Sequence, residues 1–224
     1  MTKFPLIIAI DGPAASGKST VARLLAEKLG ILYVNSGFMY RAITYKCIEQ
    51  NLFWPKDLEK IIALTKQTSF EIRSMKMWID GLDLSSVLTL PSVDNLVSIY
   101  SKIKGVREIL VNKQRQIAST QAIVMDGRDI GTIVFPSATY KFYLDASVSV
   151  RASRRYYELL KLYPSQSFNL QVIEKEITNR DKLDSERVCS PLVKATDAIY
   201  IDTSNLNIDS VVTHLYEIVS LPPS

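Results

Sequence analysis

The sequence predicts an α/β protein: a parallel five-stranded sheet flanked by helices, interrupted by an inserted segment with a small antiparallel sheet of its own. Three observations predict it. Five short runs, at residues 5–10, 31–34, 122–125, 140–144 and 199–203, read as strands, the first and third apolar enough to be buried on both faces. The first two are joined by one amphipathic helix, the spacing of a strand–helix–strand unit, which implies parallel strands and a right-handed crossover. Between residues 68 and 84 the pattern changes to alternation, FEIR and then MWI, with an Asp80-Gly81 turn signal. That pattern belongs to a hairpin or a three-stranded sheet, not to the strand–helix series.

The first strand ends in Asp11-Gly12-Pro13. From there Gly12, Pro13, Ala14, Ala15, Ser16, Gly17, Lys18 and Ser19 fit G-x-x-x-x-G-K-S/T, a phosphate-binding loop between a buried strand and a helix, with Thr20 following. Gly12 and Gly17 permit backbone angles and close approaches that a Cβ would obstruct. The loop N–H groups then point at one anion, and the helix begun at Lys18 turns its positive end to the same place. Lys18 would reach the β- and γ-phosphates, and the Ser19 hydroxyl would ligate Mg²⁺. The helix over 18–29 carries Val21, Leu24, Leu25 and Leu29 on its apolar side and stops at Gly30. A strand before and an amphipathic helix after separate this loop from a turn that merely matches the pattern. By itself the loop says nucleoside triphosphate, and not what is done with it.

Ser36, Tyr40 and Arg41 follow the second strand. Ligands of a parallel sheet gather beyond the carboxyl ends of its strands, so these residues belong to the crevice of the phosphate loop; Ser36 could also cap the next helix. Residues 42–66 read as helical with a break at 51–55, where Phe53 and Trp54 read as packing. Residues 40–105 read as the insertion. Within it 93–100 is a helix and Lys104-Gly105-Val106-Arg107 a loop or helix junction; residues 107–118 then form an amphipathic helix. The third strand is followed by Asp126-Gly127-Arg128-Asp129-Ile130-Gly131-Thr132. An acid at a strand end, in a protein with a phosphate loop, can hold Mg²⁺ directly or through water, which points to Asp126. Two acids, an arginine and two glycines exceed what an Asp-Gly turn needs. Helix 147–161 carries Arg151, Arg154 and Arg155 at i, i+3 and i+4. Such a face is normally only solvated, but beside a triphosphate it can clamp the transferring group. Residues 161–167 read as a loop able to move as a lid. Helix resumes over 172–183, and Arg180, Asp184 and Arg187 share one face if it continues. Helix 208–219 closes the series.

Composition narrows the classes. The 224 residues, 47% hydrophobic and 22% charged, suffice for one domain with an inserted subdomain and a sizeable core. Two distant cysteines, Cys47 and Cys189, make neither a disulfide framework nor a metal cluster and suit a reducing compartment. A net charge of +4 without a long basic run argues against a nucleic-acid partner; local arginine clusters suit small polyphosphates. No apolar stretch approaches ~20 residues and none has the form of a signal peptide, so no membrane span is expected and the cytoplasm is the expected location.

Seven blocks, IDGPAASGKST, NSGFMYR, VSIYSKIKGVR, DGRDIGTIVFP, RASRR, RDKLDSERVCSPL and AIYIDTS, stand in family order. Over essentially its whole length the chain resembles the bacterial cytidylate kinases, P-loop nucleoside-monophosphate kinases. The resemblance implies a P-loop NTPase fold divided as core 1–38, inserted monophosphate-binding domain 39–105, core 106–153, lid 154–187 and core 188–224. It implies phosphoryl transfer from ATP to CMP or dCMP with Mg²⁺, in pyrimidine nucleotide metabolism, by a monomer. Carried over by position, Ser36, Tyr40, Arg41 and Gly127 meet the acceptor nucleotide. Ser98, Arg107 and Asp129 read the cytosine edge, and Asp184 holds the ribose. Arg128, Arg180 and Arg187 grip phosphates, Arg154 and Arg155 belong to the lid side, and Lys18 completes the implied catalytic set. The sequence departs from the family at Asn35, where an Asp usually precedes Ser-Gly, and at Lys182-Leu183, where more charge is usual.

The chemistry is coherent. Cytosine offers an exocyclic amine that Asp129 can accept, and ring N3 and O2 acceptors for Arg107 and Ser98. A monophosphate suits bidentate arginines. Uracil presents a donor at N3 and an acceptor at O4, so Asp129 would face the wrong partner in a UMP kinase. In-line transfer needs little covalent chemistry; positioning and charge neutralisation carry it, and no obligatory general base is named. A nucleotide-dependent switch, the rival class, needs effector surfaces and switch loops that the sequence lacks, whereas a second arginine set argues for a second anionic ligand.

Overall fold

The computed structural model describes residues 5–73 and 75–221. In chain order it begins with β1 (Ile7–Asp11), α1 (Lys18–Leu29), β2 (Leu32–Asn35) and α2 (Ser36–Glu49). Next come α3 (Leu58–Gln67), β3 (Phe70–Arg73), β4 (Lys76–Ile79), α4 (Pro91–Ser101) and α5 (Lys104–Ala118). Then follow β5 (Ile123–Gly127), a π-helical turn (Ile130–Val134), β6 (Tyr140–Asp145), α6 (Val148–Leu162), α7 (Leu170–Glu186), β7 (Ile199–Asp202) and α8 (Ile208–Ser220).

β1 carries no polar side chain before its last residue, and it takes the centre of a five-stranded parallel sheet ordered β2-β5-β1-β6-β7. The register aligns the carboxyl ends: Asp11 stands beside Gly127 and Tyr143, and Asn35 beside Asp126. Everything that leaves β1, β2 and β5 therefore leaves at one edge, where ligands of open α/β sheets bind. Side chains alternate between two layers. Ala9, Val34 and Met125 pack with residues of α2 to α5, while Ile8, Ile10, Val124, Phe142 and Leu144 pack with α1 and α8. A third, small cluster of Ala152, Ile173 and Ile177 joins α6 to α7. The β3–β4 hairpin forms a separate two-stranded antiparallel sheet, and its Met77 and Ile79 belong to the same apolar cluster as Ala9 and Met125.

Several expectations are corrected. Residues 104–107 are not a junction: α5 begins at Lys104, because Val106 is fully buried and Gly105 lets the helix lie against Ile62, whose Cδ1 would sit 2.8 Å from a Cβ there. β3 and β4 pair from Phe70–Ile79 to Arg73–Lys76, and Asp80-Gly81 makes a turn after β4 closed by an Ile79–Leu82 bridge. Both residues have positive φ there, a conformation that Asp and Gly tolerate. Phe53 and Trp54 are 57% and 40% exposed and are not packing residues; Lys102 Nζ lies 5.0 Å from the Trp54 ring. Asn35, not Ser36, caps α2, its Oδ1 accepting from the Phe38 N–H at 3.0 Å. Asp126 and Gly127 lie inside β5 and do not follow it. Among the described residues no helix is long and apolar enough to cross a membrane.

Candidate active site

The loop between β1 and α1 is shaped by backbone. A Cβ on Gly12 would lie 2.0 Å from the Leu144 carbonyl oxygen, so only glycine lets the loop pass over β6; Gly17 sits at φ 87°. Lys18 is buried, and its Nζ donates to the Pro13 carbonyl at 2.7 Å. Burial, and then the charge of Arg128, push its ammonium well below the ordinary range. An anion in the loop would reverse both effects. Ser16 Oγ is buried without a partner, an unsatisfied hydroxyl in the cradle.

Ser19 Oγ donates to Asp126 Oδ2 at 2.6 Å, and Tyr33 OH donates to Asp126 Oδ1 at 2.9 Å. Asn35 Nδ2 donates in turn to Tyr33 OH at 3.1 Å, a bond that the carboxylate usual in the family has no proton to make. Burial raises the Asp126 carboxyl against the pull of Lys18. A hydroxyl and a carboxylate at the root of the phosphate loop are hard oxygen donors and fit Mg²⁺.

The second half of the site is a cage of arginines held by carboxylates. Arg128 Nε donates to Asp184 Oδ2 at 2.9 Å, and Arg187 Nη1 lies 3.8 Å from Asp184 Oδ1. Burial works to raise the Asp184 carboxyl, but Arg128, Arg180 and Arg187 hold it below the usual range. Arg107 Nη2 donates to Asp129 Oδ2 in a pair whose side chains are 3% and 6% exposed, and Arg187 Nη2 stands 3.8 Å from Asp129 Oδ1. Arg107 also lies over the Tyr40 ring, and the buried Tyr40 hydroxyl has no partner. Burial raises that phenol well above its ordinary range. Ser36 Oγ donates to the Asp126 carbonyl at 2.7 Å, fixing the start of α2 to β5.

Most residues expected at the site converge. The residues of the phosphate loop, Ser36, Tyr40, Arg107, Gly127, Arg128, Asp129, Arg180, Asp184 and Arg187 meet at the strand ends. Ser98 lies on α4 without a hydrogen bond to Arg107 or Asp129; the carbonyl of Ser101 on the same helix accepts from Arg107 instead. The three arginines of α6 do not form one clamp. Arg151 is buried and donates to the Ala14 carbonyl and to Asp181. Arg154 donates to the Thr203 carbonyl at 2.7 Å and the Ser16 carbonyl at 3.3 Å, and Arg155 to Asp94 and Glu158. At i, i+3 and i+4 they point to three neighbours of the helix. The loop expected over 161–167 lies two residues later, at 163–169, because α6 ends at Leu162 and α7 begins at Leu170. Lys182 and Leu183 are exposed.

The sequence reading missed the acids that hold this machinery. Asp11 accepts from the Ile130 and Gly131 N–H groups at 2.8 and 2.7 Å, fixing the segment after Asp129. Asp181 accepts from the Ala14 N–H and from Arg151, tying α7 to the phosphate loop. Asp94 receives Arg41, Arg155 and Arg180. The only advance signal was an excess of arginines needing counter-charge.

Comparison with known proteins agrees with this geometry. The family profile described as "Cytidylate kinase" matches residues 8–221. The chain is 45% identical over 218 residues to the cytidylate kinase of Geobacillus sp. (strain WCH70), covering 95% of this chain and 96% of that one. It is also 45% identical over 218 residues to the cytidylate kinase of Bacillus subtilis (strain 168), with 96% of each covered. A crystal structure of an uncharacterized protein from Eubacterium ventriosum shares the fold at a TM-score of 0.53 and 12% identity, over 97% of this chain and 99% of that one. With a phosphate loop at one end of the sheet and a caged arginine cluster beside it, matched across nearly its full length, the chain belongs to the cytidylate kinase family.

Proposed function

We propose that the chain transfers a phosphoryl group from ATP to CMP or dCMP, giving ADP and CDP or dCDP, with Mg²⁺ as its metal. The observation that carries this reading is the buried Arg107–Asp129 pair beside a complete phosphate loop. A charged pair in so dry a place has one donor and one acceptor edge to offer a base, and the arginines next to it suit that base's phosphate. Lys18 and the loop N–H groups hold the donor phosphates. Ser19 and Asp126 would hold Mg²⁺, which when bound neutralises charge on the phosphate oxygens. Arg41, Arg128, Arg180 and Arg187 bind the acceptor monophosphate, Asp184 its ribose, and Asp129, Arg107 and Ser98 its base. Arg154, which lies against the phosphate loop, and Arg155 belong to the lid. Alignment and charge neutralisation lower the barrier.

The same reading divides the chain into core 1–38, 106–153 and 188–224, an acceptor domain 39–105 and a lid 154–187 that close on substrate. It places a monomer in the cytoplasm, with small nucleotides as partners and no nucleic acid. Light scattering at the mass of one chain and a decrease in radius of gyration on adding both nucleotides are the expected results. The deciding experiment is ADP release by the purified protein with ATP and Mg²⁺ and either CMP, dCMP, UMP or AMP. CMP and dCMP should far exceed the others, and chelation of Mg²⁺ should abolish turnover. Equally poor turnover of all four, with ATP still bound, would sink the acceptor assignments.

A further inference from the structure

α4 brings one carboxylate against three arginines from three other helices. Asp94 Oδ1 accepts from Arg41 Nη2 of α2 at 2.5 Å and from Arg180 Nη1 of α7 at 2.9 Å, and Oδ2 accepts from Arg155 Nη2 of α6 at 2.5 Å. The Asp94 side chain is only 16% exposed. Burial alone would raise its carboxyl, but Arg41, Arg180 and Arg155 bring it down to about 2, so it is an anion at every working pH. Three guanidiniums this close repel one another strongly where water is scarce, and without a counter-charge each would turn away. With Glu158, which also pairs with Arg155, two negative charges face three positive ones, and the net positive charge left over suits a phosphate. The arginines also keep donors in reserve. Arg180 Nε is buried without a partner, and each of the three spends a single nitrogen on Asp94.

We propose that Asp94 is a positioning residue for the acceptor phosphate: it gathers Arg41, Arg155 and Arg180 so that their remaining N–H groups meet that phosphate already oriented. The proposal rests on the reading of Arg41 and Arg180 as the acceptor's grip. The carboxylate is a hub shared by α2, α4, α6 and α7, which no pairwise ion pair would be. An arginine left to find its phosphate from solvent pays its rotamer entropy during binding; one held in place has paid it on folding.

The test is steady-state kinetics with CMP varied at saturating ATP and Mg²⁺, on Asp94→Asn, Asp94→Glu and, as a reference, Arg180→Ala. Asp94→Asn should raise KM for CMP about ten-fold or more with KM for ATP within two-fold of wild type. Asp94→Glu, which keeps the charge, should recover most of the loss. Asp94→Ser replaces Asp94→Asn if the latter does not fold, and melting temperatures accompany every variant. If Arg180→Ala raises KM for CMP while Asp94→Asn leaves it unchanged, or lowers it as a carboxylate competing with phosphate would, the proposal is overturned and the site reading stands. If Arg180→Ala also leaves KM unchanged, the acceptor reading falls and this proposal falls with it.

Discussion

In the cradle proposed for the donor, residues 12–20 supply nearly everything: two glycines and a buried lysine. In the cage proposed for the acceptor, arginines arrive from α2, α5, the residue after β5 and α7, and each is held by a carboxylate from elsewhere, Asp94, Asp129 or Asp184. Both halves are positively charged, but they carry that charge differently. The donor lysine is desolvated and crowded by Arg128, with its ammonium pushed down, so it has much to gain from an anion. The acceptor cage has neutralised part of itself, and the Asp94 and Asp184 carboxyls are pulled down by their arginines. A backbone cradle is written in contiguous residues and stands ready; a side-chain cage exists only once the tertiary fold has assembled it.

The largest break in this contrast is Lys18→Ala. It removes the one side-chain cation of the cradle and should lower kcat by about 10³-fold, the scale of losing a charge-stabilising donor. The CMP:UMP preference of the residual activity should survive, because the acceptor cage is untouched. Loss of that preference in a discriminating assay would mean that the two halves are not separable.

The same division decides what could be read from the chain in advance. The phosphate loop was legible because eight adjacent residues carry its motif, and the five strands and their parallel arrangement followed from apolar runs and the single crossover helix; their order did not. Helical spacing put Arg180 and Asp184 on one face, but α7 ends at Glu186, and Arg187 joins them from an extended residue beyond it. The partners of Arg41, Arg154 and Arg155 were not legible. Arg155 and Asp94 are 61 residues apart and Arg154 and Thr203 are 49 apart, so their meeting depends on how α4, α6 and β7 pack, which no local pattern encodes. Asp11 escaped notice because an acid before Gly-Pro looks like turn chemistry, whereas its carboxylate holds two N–H groups of a segment about 120 residues away. Lys104-Gly105 misled for the opposite reason: its glycine marks a close approach between helices and not a break.

The smallest expected effect separates the two kinds of acid by sign. Burial raises the Asp11 carboxyl to about 6, even against its two N–H donors. The folded state therefore binds its proton more tightly than the unfolded chain, and Asp11 contributes stability that grows as pH falls from 7 towards 4. Asp94, down to about 2, contributes stability present above pH 4 that is lost as pH falls towards 2. Between pH 7 and pH 5 the stability of wild type relative to Asp11→Asn should rise by about 1 kcal/mol, whereas that relative to Asp94→Asn should stay constant. Denaturant melts at both pH values measure it. A constant Asp11 difference would show that its carboxylate is better solvated than its burial implies.

The most direct test of the central claim, that a buried Arg107–Asp129 pair reads the acceptor's base, is the CMP:UMP ratio of kcat/KM in wild type and in Asp129→Asn. The amide keeps the shape and removes the charge that accepts from the cytosine amine. Turnover of CMP should fall by about 10²-fold, the cost of a lost charge-assisted hydrogen bond, and the ratio should collapse towards one. A ratio that stays at the wild-type value, in a variant that still binds ATP, would contradict the assignment and place base recognition elsewhere in the acceptor cage.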